Sequence, residues 1–502
     1  MKETSRTENA LLNIVFGYVA QIGIFALSFV GRRIFLKFLS ADYLGINGLY
    51  SNILTILSLA ELGLDTAVVY SLYKPVAEHD NVVVSSLLKF FKKVYRILAL
   101  AIFAIGLLLI PFLRYLVTSD LPTTDLILFY VLFLINTVAS YFVAHKVALL
   151  SASQEQRIQK IVTLSANLLL QVMHIAVLLI WRNYYAYLIV TVLSTILSNL
   201  ILSIVCSRRH PEVFREAETT EFDKEPIKKR IFSTFLYKLG GVLITSTDNI
   251  LISVLVSTVA VGFYSNYYTV VGAIQGFVAI ITISMVAGIG NLAAKGTKEE
   301  QAKLFDMVLF FYHFVAALGL IGFSLLFNDL ITIWLGAEYL FDRWTVFIIA
   351  FNFYLTNAIS PVWMFREANG MFNEVKFVLI IRAIINIALS VILGYFWGVF
   401  GIFLATAVSL FLTNFWIEPR ILSRIIFQRD SKIYWIKQFK YFVLTALAFG
   451  ACFFVTTYIG SSLPLFLLKV IIICIVVVTL FFGFNFKTTE IKQLKGYFRI
   501  AK

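Results

Sequence analysis

Charge is what this 502-residue sequence has least of: Asp, Glu, Lys and Arg together make 14%, against 60% hydrophobic residues. Ordinary soluble domains carry about a quarter charged residues, so water is excluded as the main solvent of this chain. Cysteine is also scarce, with Cys206, Cys452 and Cys474 far apart and no CxxC pair. That spacing, with no metal-like company of His or Asp, argues against a disulfide framework or a zinc site, and free thiols are expected. A Walker loop is missing, so ATP bound to this chain is excluded as the energy source. Gly288-Ile289-Gly290-Asn291-Leu292-Ala293 fits a relaxed dinucleotide fingerprint. It ends an apolar run without a strand before it, so that meaning is discarded. Neither an enzyme signature nor a cofactor is expected.

What the sequence does have is apolar length. Stretches of the kind that cross a bilayer, about 20 residues each, recur from Leu11 to Phe486. About fourteen fit: 11–39, 43–72, 93–113, 125–148, 160–181, 185–206, 231–256, 261–290, 303–327, 343–365, 375–396, 399–418, 436–458 and 464–484. The expected fold class is therefore an all-α polytopic membrane protein. The first span follows the polar Met1 to Asn9 without a small-residue cleavage site and is read as a retained helix. An even number of spans places both termini on one side. With that side taken as the cytoplasm, most of the 42 Lys and Arg fall inside, as the positive-inside rule requires. The net charge of +14 thus reads as topology signals and contacts with anionic membrane lipids rather than nucleic-acid binding. The main clusters are Lys89, Lys92 and Lys93; Arg208 to Arg230; Arg420 to Lys440; and Lys487 to Lys502. Outer connections are short, the longest running from about Asn328 to Asp342. They leave no room for the external domain that a glycan polymerase or ligase commonly uses. The longest inner connection, Arg208 to Arg230, reads as a solvated linker between two halves.

A weak internal repeat relates those halves. Gly31-Arg32-Arg33-Ile34-Phe35-Leu36 lies against Thr247-Asp248-Asn249-Ile250-Leu251-Ile252, and after one gap Gly45 falls on Gly262. Two equivalent bundles then account for six spans, a linker and six more, with spans thirteen and fourteen an appended hairpin. The expected organisation is an N-terminal six-helix lobe over 1–207, a charged cytoplasmic linker over 208–230, a C-terminal six-helix lobe over 231–430, and the hairpin with its basic tail over 431–502. Transporters are often built from such repeats, with the substrate site between them.

Charges inside spans are costly and therefore informative. The repeat sets Arg32 opposite Asp248, so opposite charges occupy matching places. Arg32 and Arg33 fit two roles, snorkelling to the outer headgroups or lining a cavity. Asp248, deeper and flanked by Thr247 and Asn249, favours the cavity. Glu61 and Asp65 stand four apart on one helical face. Close carboxylates raise one another's proton affinity, which suits an ion-coupling site; the alternative is an ion pair with Lys74 or Lys146. Arg382 and Asn386 share a face of the eleventh span, where an arginine fork suits phosphate, while snorkelling is the other reading. Lys238 has the same ambiguity. His174 and His313, alone on apolar helices, read as structural. Asn136, Asn167, Gln171, Asn352 and Asn357 read as interhelical glue or cavity lining, undecided between the two.

Several segments resemble Wzx-type polysaccharide flippases. They are Gly31 to Leu39, Asp42-Tyr43-Leu44-Gly45-Ile46-Asn47-Gly48-Leu49 and Glu61-Leu62-Gly63-Leu64, then Thr247 to Ile252, Gly262-Phe263-Tyr264-Ser265-Asn266-Tyr267 and Gly290-Asn291-Leu292. Pro361, Arg366-Glu367-Ala368-Asn369-Gly370 and Asn386 through Gly401 extend the likeness over nearly the whole chain. The resemblance implies the superfamily of multidrug exporters, lipid II flippases and polysaccharide exporters, with two pseudo-symmetric six-helix lobes around a central cavity. It implies a secondary transporter, not an enzyme, in the bacterial inner membrane. Its cargo would be a polyprenyl-diphosphate-linked oligosaccharide for O-antigen, capsule or exopolysaccharide, with a polysaccharide polymerase and a chain-length regulator as partners. Arg32, Arg33 and Arg382 would take the diphosphate. The rivals are a cation-coupled multidrug exporter of the same fold, for which Glu61, Asp65 and Asp248 suit a cationic cargo, and a membrane glycan polymerase or ligase.

Overall fold

Long apolar runs in a chain with no water-seeking interior leave the backbone one economical solution, the helix, which satisfies its polar groups within the segment. The computed structural model describes residues 6–61, 63–216, 218, 220–371 and 374–492, and side chains from Ile22 onward apart from scattered positions. Among these residues helices dominate and no strand is found. The lead up to Ser5 and the tail beyond Lys492 lie outside the described residues, as do the side chains of Lys229, Arg230 and Asn291.

The chain packs as two compact units, Met1–Ser265 and Asn266–Lys502. The first holds α1 (Arg6–Phe38), α2 (Ala41–Leu57), α3 (Leu64–Ala77), α4 (Asn81–Leu108), α5 (Leu113–Leu116), α6 (Thr123–Tyr141), α7 (Ala144–Ala152), α8 (Gln156–Ile180), α9 (Tyr184–Arg209), α10 (Pro211–Arg215), α11 (Glu225–Leu255) and the first turns of α12 (Thr258–Lys295). In it α1 packs on α8, α8 and α6 on α9, and α11 on α2 and α3. The second unit takes the rest of α12, then α13 (Lys298–Trp334), α14 (Arg343–Ala368), α15 (Lys376–Leu412), α16 (Asn414–Leu422), α17 (Lys432–Thr457) and α18 (Leu463–Asn485). There α13 packs along α14 and α18, and α14 on α15.

Polar residues at the ends of apolar runs start the helices. Asp80 accepts from Val83 N at 3.0 Å, Asn183 from Tyr185 N at 2.7 Å, and Asp342 from Trp344 N at 2.9 Å. Thr297 and Glu300 form a capping box at α13. Each gives an otherwise orphaned N–H a partner.

Eleven segments among the described residues are long and apolar enough to cross a membrane, so the chain is a multi-pass membrane protein. One runs 51 residues, Phe377–Phe427, about twice what a bilayer needs. It is broken at Gly398, whose φ of 57° and ψ of −135° only glycine adopts readily. The sequence divides this stretch into two spans. All three cysteines are free thiols.

Three expectations need correction. The span drawn over 43–72 is two helices with a 3-10 turn, Ser58–Glu61, between them. At this break the backbone of Gly63 lies against Ile231, so close that an added Cβ would sit 2.0 Å from its carbonyl oxygen. The span drawn from 93 begins instead at Asn81, because Val84, Leu87, Leu88 and Phe91 keep a buried helical stripe going through the polar stretch. The Arg208–Arg230 linker is not simply solvated. Ser85 Oγ and Lys89 Nζ donate to the Glu216 carbonyl at 3.3 and 3.0 Å, Ser86 Oγ accepts from Thr220 N at 3.0 Å, and Val213 is buried.

Candidate functional site

The first unit holds an open cavity of about 610 Å³ lined largely by polar residues. Its wall from α2 is Asn47, Ser51, Leu54 and Thr55, spaced so that one helical face points inward. Ser58 and Glu61 come from the 3-10 turn and Asp65 from the first turn of α3. Non-helical backbone at membrane depth is tolerated where it lines such a space. Opposite stand Asn136 and Thr137 of α6, His174 of α8, Tyr187 and Thr191 of α9, and Lys238 of α11.

Glu61 and Asp65 therefore share a cavity, although they are not on one continuous helix. Their partners are not those the sequence suggests. Lys74 pairs with Glu78 at 3.8 Å, and Lys146 donates to Ser203 Oγ and Ser207 Oγ at 2.8 Å each. Glu61 instead hydrogen-bonds Tyr141 and feels the charge of Lys238. Asp65 Oδ1 accepts from the Tyr95 hydroxyl at 2.5 Å. Lys238 Nζ donates to Thr66 Oγ1 at 3.3 Å at the exposed edge of the cavity, so it reaches toward α3 rather than snorkelling away. Two carboxylates and one ammonium in one small polar space can trade protonation against charge pairing.

His174 stacks on Tyr187 with ring centroids 3.6 Å apart, and its Nε2 lies 2.9 Å from Thr191 Oγ1. Its Nδ1 is buried without a hydrogen-bond partner among the described residues, as is Asn136 Oδ1. Both belong to the cavity lining. His313 is structural, its nitrogens 2.8 Å from Leu309 O and 2.7 Å from Gln438 Oε1. Asn352 and Asn357 are glue, donating to Phe403 O at 2.8 Å and Phe353 O at 2.9 Å. Gln171 lies beside α1, its Oε1 3.7 Å from where a Gly31 Cβ would sit.

Arg32 is half-buried and donates through Nη1 to Ser265 Oγ at 3.0 Å, tying α1 to the first turns of α12. Tyr187, a cavity residue, is its electrostatic neighbour. Arg33 next to it is exposed. Asp248 is half-buried on α11. Asn249 faces α2, its Nδ2 3.5 Å from where a Gly48 Cβ would sit, and its Oδ1 is buried without a partner among the described residues.

Arg382 and Asn386 belong to the second unit and are both buried on α15. Asn386 Nδ2 donates to Thr406 Oγ1 at 3.1 Å, joining the two halves of the kinked helix. Arg382 feels the charge of Glu418, a carboxylate that sequence reasoning passed over at the end of a span. Glu418 Oε2 accepts from Arg366 Nη1 at 2.7 Å, and its Oε1 from Asn414. The nearby basic groups were the available signal: Arg366, Arg382 and Glu418 are charges at apolar-run edges that need partners.

Comparison with known proteins fits this architecture. A lipid II flippase, MurJ, in an inward closed conformation superposes with a TM-score of 0.70 at 15% identity, covering 94% of this chain and 99% of that one. A multidrug resistance MATE family transporter of the MOP superfamily, inward-facing, gives 0.57 at 14% identity over 80% and 94%. A MOP superfamily transporter from Pyrococcus furiosus gives 0.53 at 12% identity over 82% and 96%. At these identities the likeness is one of fold, and the fold is that of the MurJ and MATE transporters. No curated protein matches in sequence. Residues 10–287 match the family described as polysaccharide biosynthesis protein, and as they make up more than half of the sequence, the chain belongs to that family.

Proposed function

We propose that this protein is a flippase that carries polyprenyl-diphosphate-linked oligosaccharide from the cytoplasmic to the outer leaflet of a bacterial inner membrane, by alternating access, with both termini cytoplasmic. The observation that carries the reading is Arg32, held inside the bundle by Ser265 and adjacent to a polar cavity, in a chain of a polysaccharide biosynthesis family. A planar guanidinium matches phosphate oxygens two at a time. Arg33 and Arg382 are the further candidates for the diphosphate, and Asp248, Asn249 and Asn386 for the sugars. The structural kinship with a lipid II flippase supports a lipid-linked cargo. A polysaccharide polymerase and a chain-length regulator are the partners this role calls for, and no step of it makes the chain an enzyme.

The test is depletion of the protein in its host, with quantification of polyprenyl-diphosphate-linked oligosaccharide. Intact units should accumulate on the cytoplasmic side and be cleared by the wild-type gene. Arg32→Ala should fail to clear them, losing about 100-fold in rate if two charge-assisted hydrogen bonds to the diphosphate go. Unchanged precursor pools with normal surface glycan would overturn the reading.

Glu61 and Asp65 favour a proton-coupled cycle and keep one rival in view, a cation-coupled multidrug exporter. In the flippase reading, protonation of Glu61 releases Lys238 from its electrostatic hold, and deprotonation restores it. Glu61→Gln should therefore uncouple transport from an imposed pH gradient, leaving a flipping rate in proteoliposomes that does not respond to pH. A variant as pH-responsive as wild type would remove Glu61 from the coupling step.

A further inference from the structure

A second recess, of about 200 Å³, opens where α4, α7 and α10 meet. Lys89 and Lys92 reach it from α4, His145 and Lys146 from α7, and Val213 and Phe214 from α10. It exists because the linker folds back onto α4 through the Glu216 carbonyl, which accepts from Lys89 Nζ. No carboxylate among the described residues lines it.

Three ammonium groups converging on so small a space repel one another unless an anion shares it. Lys146 is held by Ser203 and Ser207, and Lys89 by Glu216. Lys92, at the mouth of the recess, makes no hydrogen bond or ion pair among the described residues, so its three N–H donors are open to an anion. His145 is only 4% exposed, yet its Nδ1 has no hydrogen-bond partner among the described residues. A buried polar atom left so costs stability unless a ligand or ion completes it. Arg96, one turn beyond Lys92, also bears on His145. The volume is below the range of about 300–1,000 Å³ usual for drug-sized ligands, and suits a single phosphate.

We propose that this recess is a binding site for a phosphate group, presented either by an anionic lipid headgroup or by a small soluble phosphate. Lys92 and His145 hold the oxygens, and Lys89 and Lys146 add positive charge around them. Exposed Phe214, whose ring centroid is 4.9 Å from Lys146 Nζ, gives an apolar shoulder for whatever carries the phosphate. The site is separate from the cavity of Glu61 and Asp65 and does not depend on the flippase reading.

The experiment uses the full chain in detergent. Native mass spectrometry measures retention of phosphatidic acid against diacylglycerol of the same acyl chains, and calorimetry measures binding of inorganic phosphate. Lys92→Gln is the test variant, because Lys146 carries structural bonds, and Lys93→Gln, exposed and outside the recess, is the control. Retention of phosphatidic acid that weakens about tenfold in Lys92→Gln but not in Lys93→Gln identifies a lipid site, the loss expected for one charge-assisted hydrogen bond. Phosphate binding with the same dependence, and no preference for phosphatidic acid, identifies a soluble ligand. Absence of both, or equal losses in the two variants, overturns the proposal.

Discussion

Gly45→Ala is expected to destabilise the folded protein strongly. An ideal Cβ on Gly45 would lie 1.9 Å from the Thr258 carbonyl oxygen and 2.7 Å from its carbon. The contact is returned: a Cβ on Gly262 would lie 2.2 Å from the Ala41 carbonyl oxygen and 3.2 Å from Gly45 N. Each glycine thus rests on the carbonyl one helical turn before the other, and α2 and α12 touch backbone to backbone. A carbonyl in a helix cannot swing aside as a side chain can, so the helices must part. Thr258 is further pinned, its N–H donating to Thr118 O at 3.1 Å and its Oγ1 accepting from Thr118 N at 2.9 Å. The cost should reach or exceed about 3 kcal/mol, the upper part of the overpacking range. Gly262→Ala should cost a similar amount. Gly48→Ala meets only side-chain atoms, a Val261 methyl at 3.2 Å and Asn249 Nδ2 at 3.5 Å, and should lose about 1 kcal/mol or less. Gly241→Ala, with nothing within 4 Å, should be neutral or gain up to about 1 kcal/mol in helix propensity. Thermal melts of detergent-solubilised variants, followed by size-exclusion chromatography, rank the four. A Gly45→Ala protein that melts with wild type would mean the two helices do not meet here.

That pair also shows what a sequence can and cannot reveal. Aligning the halves sets Gly45 on Gly262, and the register is all that the residues themselves disclose. That the two glycines then lie against one another is a fact of packing, because contact between residues more than 200 positions apart leaves no local trace. Apolar runs and polar caps are local, and they mark the helices well: Asp80, Asn183, Thr297 and Asp342 each stand where a helix begins. Periodicity is blind to the 3-10 turn at Ser58–Glu61, since the residues around it stay apolar on both sides of the break. Glu61 and Asp65 are visible as charges in an apolar stretch, but their partners are not. Tyr95, Tyr141 and Lys238 arrive from α4, α6 and α11, and any of several basic residues fits the sequence equally well. Asn136, readable from sequence as glue or cavity lining, lines the cavity, and so does His174, read from sequence as structural, because only the packing decides the neighbours of such polar groups.

Glu418→Ala is the second change expected to have a large effect, and it acts through charge rather than volume. Glu418 is 1% exposed and Arg366 5%, joined at 2.7 Å, with Asn414 on the other carboxylate oxygen and Arg382 within electrostatic reach. Removing the carboxylate deprives the buried Arg366 guanidinium of its short ion pair and leaves it the longer contact to half-exposed Glu367 at 3.9 Å, which costs about 3 kcal/mol. Glu418→Gln keeps hydrogen bonding to Arg366 and Asn414 but loses the charge, so its loss should be smaller than that of alanine. The paired change Arg366→Met with Glu418→Leu removes both ions together. It should recover much of the loss, because an apolar pair of similar size carries no desolvation penalty. The order wild type and double variant above Gln above Ala, in melts of the solubilised protein, is the signature of a buried pair. If Glu418→Ala instead melts near wild type, water reaches Arg366 in the membrane protein, and the network beside Arg382 is open to solvent rather than sealed. In that case Arg382 would sit at the edge of an aqueous space, where an arginine fork can meet a phosphate without first giving up a buried partner.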